Sequence, residues 1–120
     1  MKTWKDLVGE AKKGVKLLQV KEVKEKFDAG EDFILIDVRE PEEHQKGRIP
    51  KSVLVPRGVL EMTVEQEIKD PKRQLILHCA GGGRSAVAAE SLKKMGYENV
   101  ASMEGGFEGW LRSGYPVEKS

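Results

Sequence analysis

The chain of 120 residues carries 21 Lys and Arg against 20 Asp and Glu, a formal net charge of +1. A chain of this length forms one domain, and its balanced charge does not favour nucleic acid or an acidic membrane surface as a partner. It holds no apolar stretch long enough for a secretory signal or a membrane span, so we expect a cytoplasmic protein.

The first predicted element is an amphipathic helix at the amino terminus. Trp4, Leu7, Val8 and Ala11 follow helical spacing, which places them on one face. We therefore divide the chain into a helical extension, residues 1–15, and a domain, residues 16–120. The apolar face either packs on that domain or forms a contact with a partner or a second copy; the sequence leaves both open.

The rest of the chain alternates between strand and helix patterns. Strands are predicted over 17–20, 33–36, 52–55, 74–78 and 100–103, and helices over 21–27, 41–44, 59–68, 86–95 and 107–112. Continuous apolar runs such as 33–36 are typical of strands buried on both faces. The alternation predicts an α/β fold with a parallel sheet covered by helices on both faces.

Cys79, the only cysteine, lies between the fourth strand and a helix expected to begin at Ser85. One cysteine forms no internal disulfide, and no Cys/His cluster is present, so we predict neither a metal nor another cofactor. The helix amino terminus would favour a thiolate at Cys79. A free cysteine at a strand end is usually only a core residue, but the residues that follow favour a nucleophile.

Those residues form a predicted anion-binding loop above the sulfur. Three glycines can turn consecutive N–H groups inward, Arg84 adds a permanent positive charge, and Ser85 can cap the helix and donate to sulfur. The candidate loop consists of Ala80, Gly81, Gly82, Gly83, Arg84 and Ser85.

Polar residues near two strand ends are weaker candidates. Asp37 and Arg39 follow the second strand and should share a sheet edge with Cys79, where they hold the loop in place or pair with each other. His78 should face away from Cys79, as a core histidine rather than a base. His44 lies in a polar turn, where we expect it to be solvated.

These motifs resemble the single-domain rhodaneses, a family of sulfurtransferases, over about residues 17–116. Residues 37–40 resemble the family's D-V-R-E, 47–50 its G-H-I-P, 79–85 its C-x-x-G-x-R-S loop, and 105–110 its G-G-x-x-x-W. The resemblance implies a five-stranded parallel sheet in a rhodanese-like fold. It also implies that Cys79 takes sulfane sulfur from thiosulfate, polysulfide or a persulfide and passes it, as its own persulfide, to cyanide, a thiol or an acceptor protein.

Two other functions stay open. The same loop could serve a sulfur-relay or regulatory binding module with little turnover. A cysteine phosphatase or arsenate reductase is the more distant alternative, because four residues separate Cys79 from Arg84 whereas phosphatase loops have five. The shorter loop leaves less room for the oxygens of phosphate. The absence of charged side chains at 80–83 further suggests that thiosulfate is a poor donor.

Overall fold

The computed structural model describes residues 1–119 and contains strands and helices in the predicted alternation. The strands are β1 (Lys16–Leu18), β2 (Ile34–Asp37), β3 (Val53–Leu54), β4 (Leu75–His78) and β5 (Val100–Met103). The helices are α1 (Trp4–Gly14), α2 (Val20–Asp28), α3 (Pro41–Lys46), α4 (Leu60–Glu67), α5 (Gly83–Met95) and α6 (Gly106–Arg112), with a short 3-10 helix (Arg57–Val59) before α4. None of the helices within 1–119 is long and apolar enough to cross a membrane.

The strands form one sheet in the order β1-β5-β4-β2-β3, and every neighbouring pair is parallel. This confirms the predicted five-stranded parallel sheet. β4 lies at its centre, and Asp37 at the end of β2 pairs in register with His78 at the end of β4. The carboxyl ends of these two strands therefore share one edge of the sheet, and the residue after His78 is Cys79.

Alternate residues of the strands bury their side chains on opposite faces of the sheet. On one face, Leu75 and Leu77 pack with apolar residues of α4 and α5, and Cys79 belongs to the same cluster. On the other face, Ile76 packs with residues of α2 and with Trp110 of α6. Helices thus cover both faces, and the sulfur lies on the α4/α5 side.

The amino-terminal helix α1 packs on its own domain. Its start is stabilised by a capping box between Thr3 and Asp6, and Ala11 is completely buried. The helix lies against α5, and the side chain of Lys93 donates a hydrogen bond to the carbonyl of Gly14. The apolar face of α1 therefore contacts its own domain, which is the first of the two arrangements that the sequence left open.

Candidate active site

Cys79 lies directly after the central strand β4, at the base of a loop that leads into α5. It is 1% exposed. Gly82 is the residue before the helix and has a φ of 114°, a left-handed conformation that glycine adopts without a steric penalty. This turn folds the loop back over the sulfur.

Backbone N–H groups of the loop point at the sulfur. The N–H of Gly82 donates to Cys79 Sγ at 3.0 Å, and the N–H of Ser85 donates at 3.4 Å. Both are among the amides at a helix start that lack a partner within the helix, and the helix dipole adds positive potential at the same place. The loop thus stabilises negative charge on Cys79 without using a charged side chain.

Ser85 does not cap the helix, so the prediction of a Ser85 cap is wrong. Helix α5 already begins at Gly83, with Gly82 in the capping position, and Ser85 lies within its first turn. The Ser85 hydroxyl lies 3.5 Å from Cys79 Sγ and donates to the carbonyl of Gly82 at 3.3 Å. In the thiol form Cys79 is the donor of this contact and the Ser85 oxygen accepts, whereas a Cys79 thiolate could accept the Ser85 hydrogen instead.

Ser102 is a site residue that the sequence reasoning missed. Its side chain on β5 is completely buried, and its hydroxyl oxygen lies 2.8 Å from that of Ser85. If Ser102 donates to Ser85, the Ser85 hydrogen can be directed to the carbonyl of Gly82 or to a thiolate at Cys79. The signal in the sequence was a serine within a strand that is otherwise apolar.

Arg84 turns its guanidinium toward Glu43 of α3. The two side chains form a bidentate ion pair, with N–O distances of 2.8 and 3.0 Å. The hydrogen bond from Arg84 holds the pKa of Glu43 below its ordinary value, and the same pair raises the pKa of Arg84. The sequence predicted that Arg84 adds a permanent positive charge to the loop, and the structure places the carboxylate of Glu43 against that charge.

Asp37 and Arg39 form a buried cluster at the end of β2. They are 0% and 3% exposed, and Arg39 also donates to the carbonyl of Gly47 at 2.8 Å. The guanidinium of Arg39 meets the Asp37 carboxylate at 2.8 Å. His44 joins the cluster with Nδ1 at 2.8 Å from Asp37 Oδ2, so the expectation that it is merely solvated is wrong.

The charges of this cluster balance one another. Burial acts to raise the pKa of Asp37, but hydrogen bonds from Arg39 and His44 and the field of His78 outweigh burial and lower it to about 2. His78 is completely buried, and this burial lowers its pKa. These groups lie beside the loop that follows Cys79. His78 Nδ1 lies 3.1 Å from the carbonyl oxygen of Cys79, so the cluster contacts the backbone of this residue rather than its sulfur.

The start of α6 holds the other side of the loop. The N–H groups of Phe107 and Glu108 donate to the carbonyls of Cys79 and Ala80, at 2.8 and 3.0 Å. A Cβ on Gly106 would lie only 2.5 Å from the carbonyl oxygen of Ala80. The second glycine of the G-G-x-x-x-W motif therefore permits this close approach, and the tryptophan, Trp110, is buried in the core.

Comparison with known proteins gives a consistent set of relatives. The model of the rhodanese-like domain family matches residues 19–113. A sulfurtransferase of Allochromatium vinosum is 33% identical over 87 residues, which are 72% of this chain and 79% of the relative. Thiosulfate sulfurtransferase GlpE of Pseudoalteromonas translucida is 37% identical over 81 residues, 67% of this chain and 74% of the relative.

Solved structures agree on the fold. A protein of unknown function from Rhodopseudomonas palustris, described as a possible tyrosine phosphatase, superposes with a TM-score of 0.91 at 31% identity, covering 98% of this chain and 96% of that one. A thiosulfate sulfurtransferase of Pseudomonas aeruginosa superposes with a TM-score of 0.84 at 31% identity, over 94% of this chain and 22% of that longer one.

Proposed function

This chain belongs to the rhodanese-like domain family, and on that premise we propose that it is a sulfurtransferase that carries sulfane sulfur on Cys79. The observation that carries the proposal is the set of N–H donors from Gly82 and Ser85 aimed at Cys79 Sγ. Such donors stabilise the thiolate that attacks, and the persulfide anion that results.

Transfer proceeds in two displacements. The Cys79 thiolate attacks the sulfane sulfur of the donor, a new S–S bond forms, and the old bond breaks with its electron pair on the leaving group. The leaving group is sulfite from thiosulfate, a shorter polysulfide or hydrosulfide from polysulfide, and a thiolate from an organic persulfide. An acceptor nucleophile, cyanide or a thiolate, then attacks the terminal sulfur, and Cys79 departs as the thiolate. Because this chain holds no second cysteine to resolve the persulfide, the acceptor is another molecule.

Among the donors, we favour a polysulfide or an organic persulfide over thiosulfate. Arg84 is neutralised by Glu43, and a carboxylate oxygen of Glu108 lies 3.9 Å from the Cβ position of Gly81. A dianion such as thiosulfate meets these carboxylates without a free cation on the loop to offset them. A donor with less charge avoids that repulsion.

The name of the Rhodopseudomonas palustris protein makes phosphate-ester hydrolysis the second candidate. A phosphatase loop surrounds three phosphate oxygens with N–H donors and a guanidinium. Here Cys79 and Arg84 are separated by four residues, and the guanidinium is paired with Glu43. Both observations favour sulfur transfer over phosphate transfer.

Mass spectrometry tests the proposal directly. The native protein and Cys79→Ala are incubated separately with thiosulfate and with polysulfide, then treated with cyanide. We expect one added sulfur atom on the native protein only, formed faster with polysulfide, and its loss to cyanide. No adduct with either donor would contradict the proposal, and an adduct that forms without steady turnover would favour the sulfur-relay module. Hydrolysis of p-nitrophenyl phosphate that depends on Cys79 would favour the phosphatase.

A further inference from the structure

Helix α1 lies outside residues 19–113, which the family model matches, yet it contacts the catalytic loop. A Cβ built on Gly83 would lie 3.4 Å from Val8 Cγ2 and 3.5 Å from Trp4 Cζ2. A Cβ built on Gly82 would lie 3.9 Å from Lys12 Nζ. One side of the helix therefore faces both glycines of the turn that covers the sulfur.

The helix is fixed to the domain independently of these contacts. Ala11 is completely buried, and Lys93 of α5 binds the carbonyl at the carboxyl end of α1. The ammonium of Lys12 lies 2.9 Å from a carboxylate oxygen of Glu104, the residue directly before Gly105 and Gly106. The helix thus presents a firm surface to the loop.

The loop needs such a surface because its glycines have little conformational preference of their own. Gly81, Gly82 and Gly83 lose more backbone freedom on ordering than residues with side chains do. The hydrogen bond from Gly82 to Cys79 Sγ persists only while this segment keeps its turn. Contacts from α6 hold the Cys79 and Ala80 carbonyls, and Gly105 N at the start of α6 lies 3.6 Å from the Cβ position of Gly82. The atoms nearest to the Cβ position of Gly83, by contrast, all belong to α1.

The placement of Trp4 fits this role. Trp4 is 53% exposed, so it is not part of the core, and the part of its ring that is covered includes the contact with Gly83. Leu7, on the same helix, is 45% exposed and is not among the nearest neighbours of either glycine. The two side chains are similarly exposed, but only Trp4 is among the nearest neighbours of Gly83.

We propose that Trp4 and Val8 are positioning residues for sulfur transfer: they hold Gly83 so that the N–H of Gly82 stays aimed at Cys79. The expected effect on the rate of sulfur transfer rests on the proposed function, whereas the expected effect on the order of the loop does not. Helix α1 then contributes to the geometry of the active site, although it precedes residues 19–113, which the family model matches.

The test compares Trp4→Ala with Leu7→Ala as the matched control and Trp4→Phe as the conservative variant. Amide hydrogen exchange, followed by NMR, should accelerate about tenfold at Gly82 in Trp4→Ala, while the amides of β4 remain protected. The maximal rate of persulfide formation from polysulfide should fall on the order of tenfold, with KM within about twofold of the native value. Leu7→Ala should change neither, and Trp4→Phe should restore most of both.

Unchanged exchange at Gly82 and an unchanged maximal rate in Trp4→Ala would overturn the inference. So would equal effects of Trp4→Ala and Leu7→Ala, which would point to general loosening of the helix. Because hydrogen exchange is read without any sulfur donor, a native protein that forms no persulfide would refute the proposed function and still leave the positioning role to be judged.

Discussion

Gly106 offers a sharp test of how the loop after Cys79 is held, because the chain contains a matched control. Gly106 has a φ of 55° and Gly114 a φ of 75°, so alanine at either position adopts an unfavourable left-handed conformation. That conformation costs about 1 kcal/mol. A Cβ on Gly114 would meet nothing within 4 Å, whereas one on Gly106 would lie 2.5 Å from Ala80 O and 2.6 Å from Cys79 O.

The overlap at Gly106 sets the expected magnitude. Real Cβ contacts essentially never fall below 3.0 Å, so the start of α6 must withdraw from the loop. Withdrawal breaks the hydrogen bonds from Phe107 and Glu108 to the loop carbonyls, at about 1 kcal/mol each. We therefore expect Gly106→Ala to lower the free energy of unfolding by about 3 kcal/mol and Gly114→Ala by about 1 kcal/mol.

Urea unfolding measures both variants, and persulfide formation under conditions where each is folded measures the site. Gly106→Ala should slow the reaction at Cys79 on the order of tenfold or more, because the cysteine carbonyl itself is displaced, while Gly114→Ala should leave the rate unchanged. Two free energies of unfolding that agree within about 0.5 kcal/mol would refute the steric reasoning. A destabilised Gly106→Ala that keeps the native rate would refute the link between α6 and the reactive sulfur.

Three further changes test the charges and hydroxyls around the site. Glu43→Gln frees Arg84 and should raise kcat/KM for thiosulfate several-fold. The control is Glu42→Gln at the exposed neighbouring position. A decrease in Glu43→Gln would contradict the argument that Glu43 makes thiosulfate a poor donor. Ser102→Ala should slow persulfide formation and lower the free energy of unfolding by about 1 kcal/mol, and a native rate would remove the hydroxyl pair from the reaction. The pKa of Asp37 drops on folding from 3.8 to about 2, so it stabilises the folded state above pH 4 and loses this contribution as the pH falls toward 2. As the pH falls through this range, the free energy of unfolding should decrease by about 2 kcal/mol less in Asp37→Asn than in the native protein.

The parts of the site that lie close together in the sequence could be predicted from it. Strand, cysteine, glycines and helix occupy consecutive positions, so their order alone indicated a sulfur at the base of a loop. The helix start was placed too late, at Ser85 instead of Gly83. Glycine is unfavourable in helix interiors, so the glycines were assigned to the loop. In the structure Gly83 is the first helical residue, and Gly82, in a left-handed conformation, caps the helix.

Contacts between distant segments could not be predicted in the same way. Glu43 and Arg84 are 41 positions apart, and their pairing depends on how α3 and α5 lie at one edge of the sheet. The same holds for Ser102, whose contact with Ser85 depends on how α5 packs against β5, and for the contact of Trp4 with Gly83. A lone sequence carries the residue types for these pairs but no constraint that joins them.

The glycines of the site therefore act as contact surfaces as much as flexible joints. Gly106 lets α6 approach the Cys79 and Ala80 carbonyls, and Val8 and Trp4 of α1 lie at ordinary contact distance from the Cβ position of Gly83, so both helices border the loop. A loop held in this way keeps its N–H groups aimed at the sulfur before any donor arrives. Donors aligned in advance need no reorganisation during a reaction, so under the proposed function a glycine run that is costly to order in isolation would serve as an ordered set of donors for Cys79 Sγ.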